Sequence, residues 1–289
     1  MTDLLQLIVS GASYGSIYGL FAVGYVAIFT VSKVINLAQG EFGISAAMIA
    51  IAMVAAGWAL PLALLGGIIS GIAVAMILQR VVLAPIKNLT VLTSVILTLG
   101  ASAVIKAILL LWMGPGAKSL PALPGADLRV FGVDIRSQEL WIFGATVAVA
   151  IVLAWFYERT LTGKALKPCA QQPTAARLVG ISVRRAALIA FAIAGATAAL
   201  AAILSSPLHL TVWDSGLVLG LKGFVAAAIA GLASVRGAIL GGVLLGIVES
   251  LVAGYLDSGY RDGVAFMVLI AVLILRPQGV FSRQMEVRV

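Results

Sequence analysis

A chain of 289 residues that is 62% hydrophobic and only 10% charged cannot be a soluble domain. Continuous apolar runs such as Ala226–Ala230 and Val243–Val248 exclude the alternating pattern of a membrane barrel, which leaves helices long enough to cross a hydrocarbon core of about 30 Å. The net charge of +8 gathers at helix ends and in one set of loops, so membrane topology accounts for it better than a nucleic-acid partner does.

The first predicted span is Leu4–Val31. Asp3 stands where a cleaved signal carries positive charge, and the apolar stretch runs too far, so this segment reads as a membrane helix. Further spans follow at Phe42–Ala56, Leu60–Leu78, Val91–Met113, Leu140–Trp155, Ala186–Leu204, Gly216–Val235, Ala238–Tyr255 and Val264–Leu275. The reading is an all-α polytopic membrane protein of about 8–9 transmembrane helices, a single domain over 1–289. Glycine and polar residues in the Gly216 span also suit a broken or re-entrant helix.

Lys33, Arg80, Lys87, the Arg159–Arg185 loop, Arg236 and the tail arginines fall on one side of this topology. The balanced outer loop 114–139 falls on the other. Basic loops stay in the cytoplasm, which predicts an outside N-terminus and a cytoplasmic C-terminus. Within the outer loop, Asp127–Ile135 alternates around Gly132 and suits either a small hairpin or an ordered surface loop. Gly237, Gly241, Gly242 and Gly246 lie at four-residue spacing on one span, which predicts close helix packing.

Enzyme constellations are missing from the sequence. There is no phosphate-binding loop, no nucleophile elbow, and only one histidine (His209) and one cysteine (Cys169). Lone His209 beside Pro207 reads as a surface residue, and Cys169 as inert or simply small. Ionisable residues inside spans are costly and therefore informative. Glu41, Lys106, Lys222 and Glu249 qualify. Lys106 can snorkel toward the membrane surface. Glu41 sits in a helix's first turn, where the dipole favours an acid. Lys222 lies fourteen residues before Arg236 and Glu249 twelve after Gly237. Antiparallel helices joined at that turn bring the two to similar depth at about 1.5 Å per residue. They are expected to pair or to face one polar cavity.

The loop 158–185 carries its own helix signals. Pro173 suits a first helical turn, Gln172 or Thr174 its start, and Gly180 its stop. A helix this short does not stand alone in water, so it is expected to pack on something.

These pieces together resemble a known family. The matching residues are Ile35–Phe42, Gly163–Leu166 with Ala170-Gln171 and Ala175–Ile181, Gly220–Phe224, Gly237-Ala238 with Gly241-Gly242, and Arg276–Gly279. In order and spacing the chain resembles the permease subunits of branched-chain amino acid ABC importers, specifically the LivH-like member of the permease pair. The resemblance implies a fold like the vitamin B12 importer permease. It also implies a second homologous permease, two cytoplasmic ABC ATPase subunits, a periplasmic substrate-binding protein, and the bacterial inner membrane as location. No cofactor is implied for this chain, since ATP and Mg would sit on the ATPases. Pro173, Thr174, Ala175, Ala176, Arg177, Leu178 and Gly180 would form the coupling element that docks on an ATPase. Asn36, Gln39, Glu41, Lys222 and Glu249 are the candidates for the translocation path. Pro168 departs from the family's small residue there and predicts a coupling helix that begins later, near Pro173. Beside this reading stand a stand-alone secondary transporter or channel for small polar solutes, and a membrane scaffold.

Overall fold

Ten α-helices form among the residues that the computed structural model describes, which are 2–86, 89–130, 132–171, 182–232, 234–276 and 279. The first, α1 (Thr2–Ser32), ends at Lys33, which adopts a left-handed φ of 56°. A non-helical segment, Val34–Ala38, then leads into the short α2 (Gln39–Ala55). Helix α3 (Leu60–Ile77) continues into a π-helical turn, Leu78–Leu83, where the Ala84 N–H donates to Gln79 O, five residues back, at 2.8 Å. Thr90 caps α4 (Val91–Met113) by accepting from the Thr93 N–H at 3.1 Å, and Gly114 with φ 77° stops it.

Of the two readings of Asp127–Ile135, the hairpin forms. Strands β1 (Leu128–Val130) and β2 (Val133–Ile135) pair antiparallel, with Gly132 at φ 80° in the turn. Gln6 of α1 pins the hairpin with two 2.9 Å bonds to the backbone of Asp134. Then come α5 (Ser137–Arg159), α6 (Leu161–Gln171), α7 (Val183–Ser205), α8 (Gly216–Ile229), α9 (Val235–Tyr255) and α10 (Arg261–Leu275).

Helix α1 is the axis of the assembly, packing on α9, α7 and α8, while α7 also meets α2 and α3. Its approach to α9 rests on glycine. A Cβ at Gly15 would lie 2.6 Å from Val243 Cα, and one at Gly11 would lie 2.8 Å from Ile247 Cα. On the facing helix Gly242 meets Gly15 and Gly19, and Gly246 meets Gly11 and Gly15. Two interlocked small-residue ridges thus bring backbones into contact, the arrangement that drives helix association in lipid. Gly241 turns instead toward Ala226 O of α8. Gly237 has a different part, donating its N–H to the capping Ser234 Oγ at 3.1 Å.

Among the described residues, seven helical segments are long and apolar enough to span a bilayer; α2 and α8 are apolar but shorter. The predicted span Gly216–Val235 is therefore not one helix. It stops at Ile229, Gly231 and Leu232 take φ of 77° and 55°, and Val235 starts α9. The last span begins at Arg261 rather than Val264, because a 3-10 turn at Ser258–Tyr260 leads directly into it.

The coupling loop also differs in its first half. Helix α6 runs through position 168, so helix is already present before Pro173. Thr160 starts it by accepting from the Gly163 N–H at 3.0 Å. Leu166 and Cys169 bury one face against Val31, Ala186 and Ala190, and this burial pushes the Cys169 thiol pKa up. The residues expected to couple to an ATPase, Pro173, Thr174, Ala175, Ala176, Arg177, Leu178 and Gly180, lie outside the described residues.

Large apolar side chains cover the outer faces of α3, α4, α5 and α10, Leu65, Ile69, Ile96, Ile108, Ile151 and Ile274 among them. A surface of this kind is at home against lipid or a neighbouring subunit.

Candidate functional site

All five translocation-path candidates are buried: Asn36, Gln39 and Glu41 at 0% exposure, Lys222 at 6% and Glu249 at 1%. They divide into two acid–base clusters joined by one face of α1.

The first cluster surrounds Glu41, in the first turn of α2. Its Oε1 accepts from Ser102 Oγ at 3.0 Å and faces Lys106 Nζ at 3.6 Å, both on α4. Lys106 is thus turned to a buried carboxylate and is more than a snorkelling surface lysine. Gly216, the first residue of α8, abuts the carboxylate, and Gly40 abuts the Gly216 carbonyl. Any side chain at either position would displace the acid or part the two helices. Asn36 and Gln39 shape the entry to α2. Asn36 Oδ1 accepts from the Ala38 N–H at 3.2 Å, Gln39 Nε2 donates to Ala194 O at 3.0 Å, and Thr98 Oγ1 accepts from the Leu37 N–H at 3.1 Å. Four buried atoms here lack a hydrogen-bond partner among the described residues: Glu41 Oε2, Gln39 Oε1, Asn36 Nδ2 and Tyr25 Oη. Leaving a polar atom unmet inside a protein costs about 1–3 kcal/mol. Four together mark a place built for water or a polar ligand.

The second cluster confirms the predicted pairing of Lys222 with Glu249. The Nζ to Oε2 distance is 3.0 Å. Tyr18 of α1 donates to the same Oε2 at 2.8 Å, and Lys222 also reaches Asp262 Oδ1 of α10 at 2.7 Å. Asp262 is 63% exposed in its side chain, so the lysine links a buried acid to a solvated one. Arg261 lies over the Tyr14 ring at 5.0 Å, and His209 packs on the same ring at 4.9 Å. His209 is exposed, and desolvation beside the Tyr14 ring together with the positive charges of Arg261 and Lys222 holds its pKa below the ordinary value.

Sequence reasoning missed Tyr14, Tyr18, Tyr25, Ser102, Arg261 and Asp262. A signal for the tyrosines was there. Spacings of four and seven place Tyr14, Tyr18 and Tyr25 on one helical face, and Gly11, Gly15 and Gly19 mark the neighbouring stripe. Asp262 carries no such mark, because only the fold of α10 against α8 and α9 brings it to Lys222.

A buried lysine held between two carboxylates can bind, orient or exchange charge. Ionisable residues inside apolar helices are costly and pair with one another, as they do here.

Comparison with known proteins agrees. The family described as branched-chain amino acid transport system / permease component matches residues 7–273. The chain is 31% identical to the high-affinity branched-chain amino acid transport system permease protein LivH of Escherichia coli K12, covering 96% of both chains. It is 33% identical to BraD of Pseudomonas aeruginosa over the same shares. It is 28% identical to the autoinducer 2 import system permease protein LsrC of Salmonella paratyphi B, over 91% of this chain and 75% of that one. In fold it is similar to PsaBC from Streptococcus pneumoniae in complex with Fab, with a TM-score of 0.56 at 12% identity, covering 96% of this chain and 93% of that one. It is also similar to a metal-chelate type ABC transporter in an inward-facing conformation, with a TM-score of 0.53 at 13% identity, covering 94% and 87%. The chain therefore belongs to the permease component family of branched-chain amino acid transport systems, as a multi-pass inner-membrane protein.

Proposed function

We propose that this chain is one permease subunit of an ATP-driven importer for branched-chain or related amino acids. It forms the translocation path together with a second homologous permease. Two cytoplasmic ATPases power it, and a periplasmic binding protein delivers the solute. The chain itself is not an enzyme and holds no nucleotide; ATP and Mg belong to the ATPases. The observation that carries this reading is the pair of buried acid–base clusters, Glu41–Lys106 and Lys222–Glu249, on helices of a permease family. Charges inside membrane helices are costly, and they commonly mark a solute or ion pathway.

The distribution of lysine and arginine supports an outside N-terminus and a cytoplasmic C-terminus. Loop 158–185 is then cytoplasmic and serves as the coupling element. Helix α6 is docked on α1, α5 and α7 through Leu166 and Cys169, so force applied to this loop passes directly to the axial helix. We assign the contact with the ATPase to Pro173, Thr174, Ala175, Ala176, Arg177, Leu178 and Gly180. The vitamin B12 importer permease is the architecture we adopt for the complete fold. Asn36, Gln39, Glu41, Lys222 and Glu249 line or gate the path.

The test is uptake by the assembled transporter in vesicles, with ATP hydrolysis measured in parallel. Ala175→Glu and Ala176→Glu are expected to leave hydrolysis running while uptake collapses. Unchanged uptake in both variants refutes the coupling assignment, and amino-acid uptake by the purified chain without ATPases refutes the importer reading.

A further inference from the structure

The Lys222 cluster has two unmet atoms of opposite character. Glu249 is 1% exposed, and its Oε2 is fully engaged by Tyr18 and Lys222. Its Oε1 has no hydrogen-bond partner among the described residues. Arg261 Nε is buried and equally unmet, and its guanidinium makes no ion pair among the described residues. Its sequence neighbour Asp262 is taken by Lys222 at 2.7 Å. One free acceptor and one free donor thus stand beside the same two rings. Tyr14 supports the guanidinium and Tyr18 holds the carboxylate, one turn or about 6 Å apart along α1. A ligand that carries a donor and an acceptor group on a single carbon can answer both unmet atoms at once.

Charge selects the ligand further. Lys222 and Arg261 balance Glu249 and Asp262, so the cluster is neutral. A lone anion or cation would leave a net charge in a largely buried site, which is strongly unfavourable. A zwitterion leaves none. The partly buried Leu219 packs against the same apolar cluster as Tyr14, the cluster to which Tyr18 belongs.

We propose that Arg261 and Glu249 form a zwitterion site, in which the guanidinium takes the carboxylate of an α-amino acid and Glu249 takes its ammonium group. Lys222 stays on Asp262 while the ammonium occupies the acid. The inference rests on the amino-acid reading above and adds to it the atoms that recognise the solute.

The test is binding of radiolabelled L-leucine to the full chain in lipid nanodiscs, with competition by leucinamide, which lacks the carboxylate, and isovalerate, which lacks the ammonium. Each analogue is expected to compete at least about tenfold more weakly than leucine, the effect of losing one charge-assisted hydrogen bond. Arg261→Gln should weaken leucine about tenfold yet leave leucinamide unchanged, and Glu249→Gln should do the same with isovalerate unchanged. Equal loss for all three ligands would assign both residues a merely structural part and overturn the site. So would the absence of saturable leucine binding, or variants that bind leucine as the parent does. Leucine uptake by the assembled transporter, measured alongside, separates the two ideas. Uptake without the predicted pattern sinks this site and leaves the importer reading standing, whereas no uptake of any amino acid sinks both.

Discussion

Replacing Lys222 by methionine tests the core of the site. The substitution keeps an unbranched side chain, one atom shorter, and removes one charge. Glu249 is then left at 1% exposure with only the Tyr18 hydroxyl, 2.8 Å away, to stabilise it. Removing one partner of a buried ion pair typically costs about 3–5 kcal/mol. The second contact of the lysine adds little, because Asp262 is 63% exposed in its side chain and water can replace the lost ammonium there. The double variant Lys222→Met/Glu249→Gln removes both buried charges, and most of the penalty should disappear. Reversible unfolding in micelles, followed by circular dichroism across the four members of the cycle, gives a coupling energy. The expected value is about 2 kcal/mol or more. An Asp262→Asn variant should change stability by less than about 1 kcal/mol. Additive losses from Lys222→Met and Glu249→Gln, with no recovery in the double variant, would refute the pairing as the source of stability.

Three further outcomes follow from geometry and titration. Gly242→Leu must force apart α1 and α9 where Gly15 and Gly19 touch, so a loss of at least about 2 kcal/mol or failure to accumulate in the membrane is expected. Gly100→Ala on α4, with nothing within 4 Å of its added Cβ, should be neutral or stabilising by about 0.5–1 kcal/mol, and the same unfolding assay reads both. Because the His209 pKa is lowered in the folded protein, the unfolded chain takes up its proton first as pH falls. Stability should therefore decline as pH drops through about 6.5, the ordinary histidine value, and His209→Asn should flatten that slope in thermal melts. A slope that survives the substitution points to another group.

Much of this protein is legible without coordinates, because the governing signals are local. Hydropathy over about 20 residues decides which segments can live in lipid, and spacing within one helix decides which residues share a face. The Lys222–Glu249 pair could be read for the same reason. A short turn joins their helices, so counting fourteen residues one way and twelve the other fixes their depth. Only the tertiary structure could decide that Glu41 meets Ser102 and Lys106, sixty-odd residues away on a helix with no register to α2. Nor could the sequence place Tyr18 on Glu249 or Asp262 on Lys222, since those contacts depend on how α1 and α10 pack against α8 and α9. The Gly216 span suits a broken helix from sequence alone, but the position of the stop at Ile229 could not be read, for a related reason. Alanine-rich apolar sequence continues past it, and the break is made by two residues with positive φ whose cost the surrounding packing offsets. Composition and local period therefore determine that this chain is a bundle of membrane helices with charges inside it. Which charges answer one another, and which atoms are left open, is settled by long-range packing that no local pattern encodes.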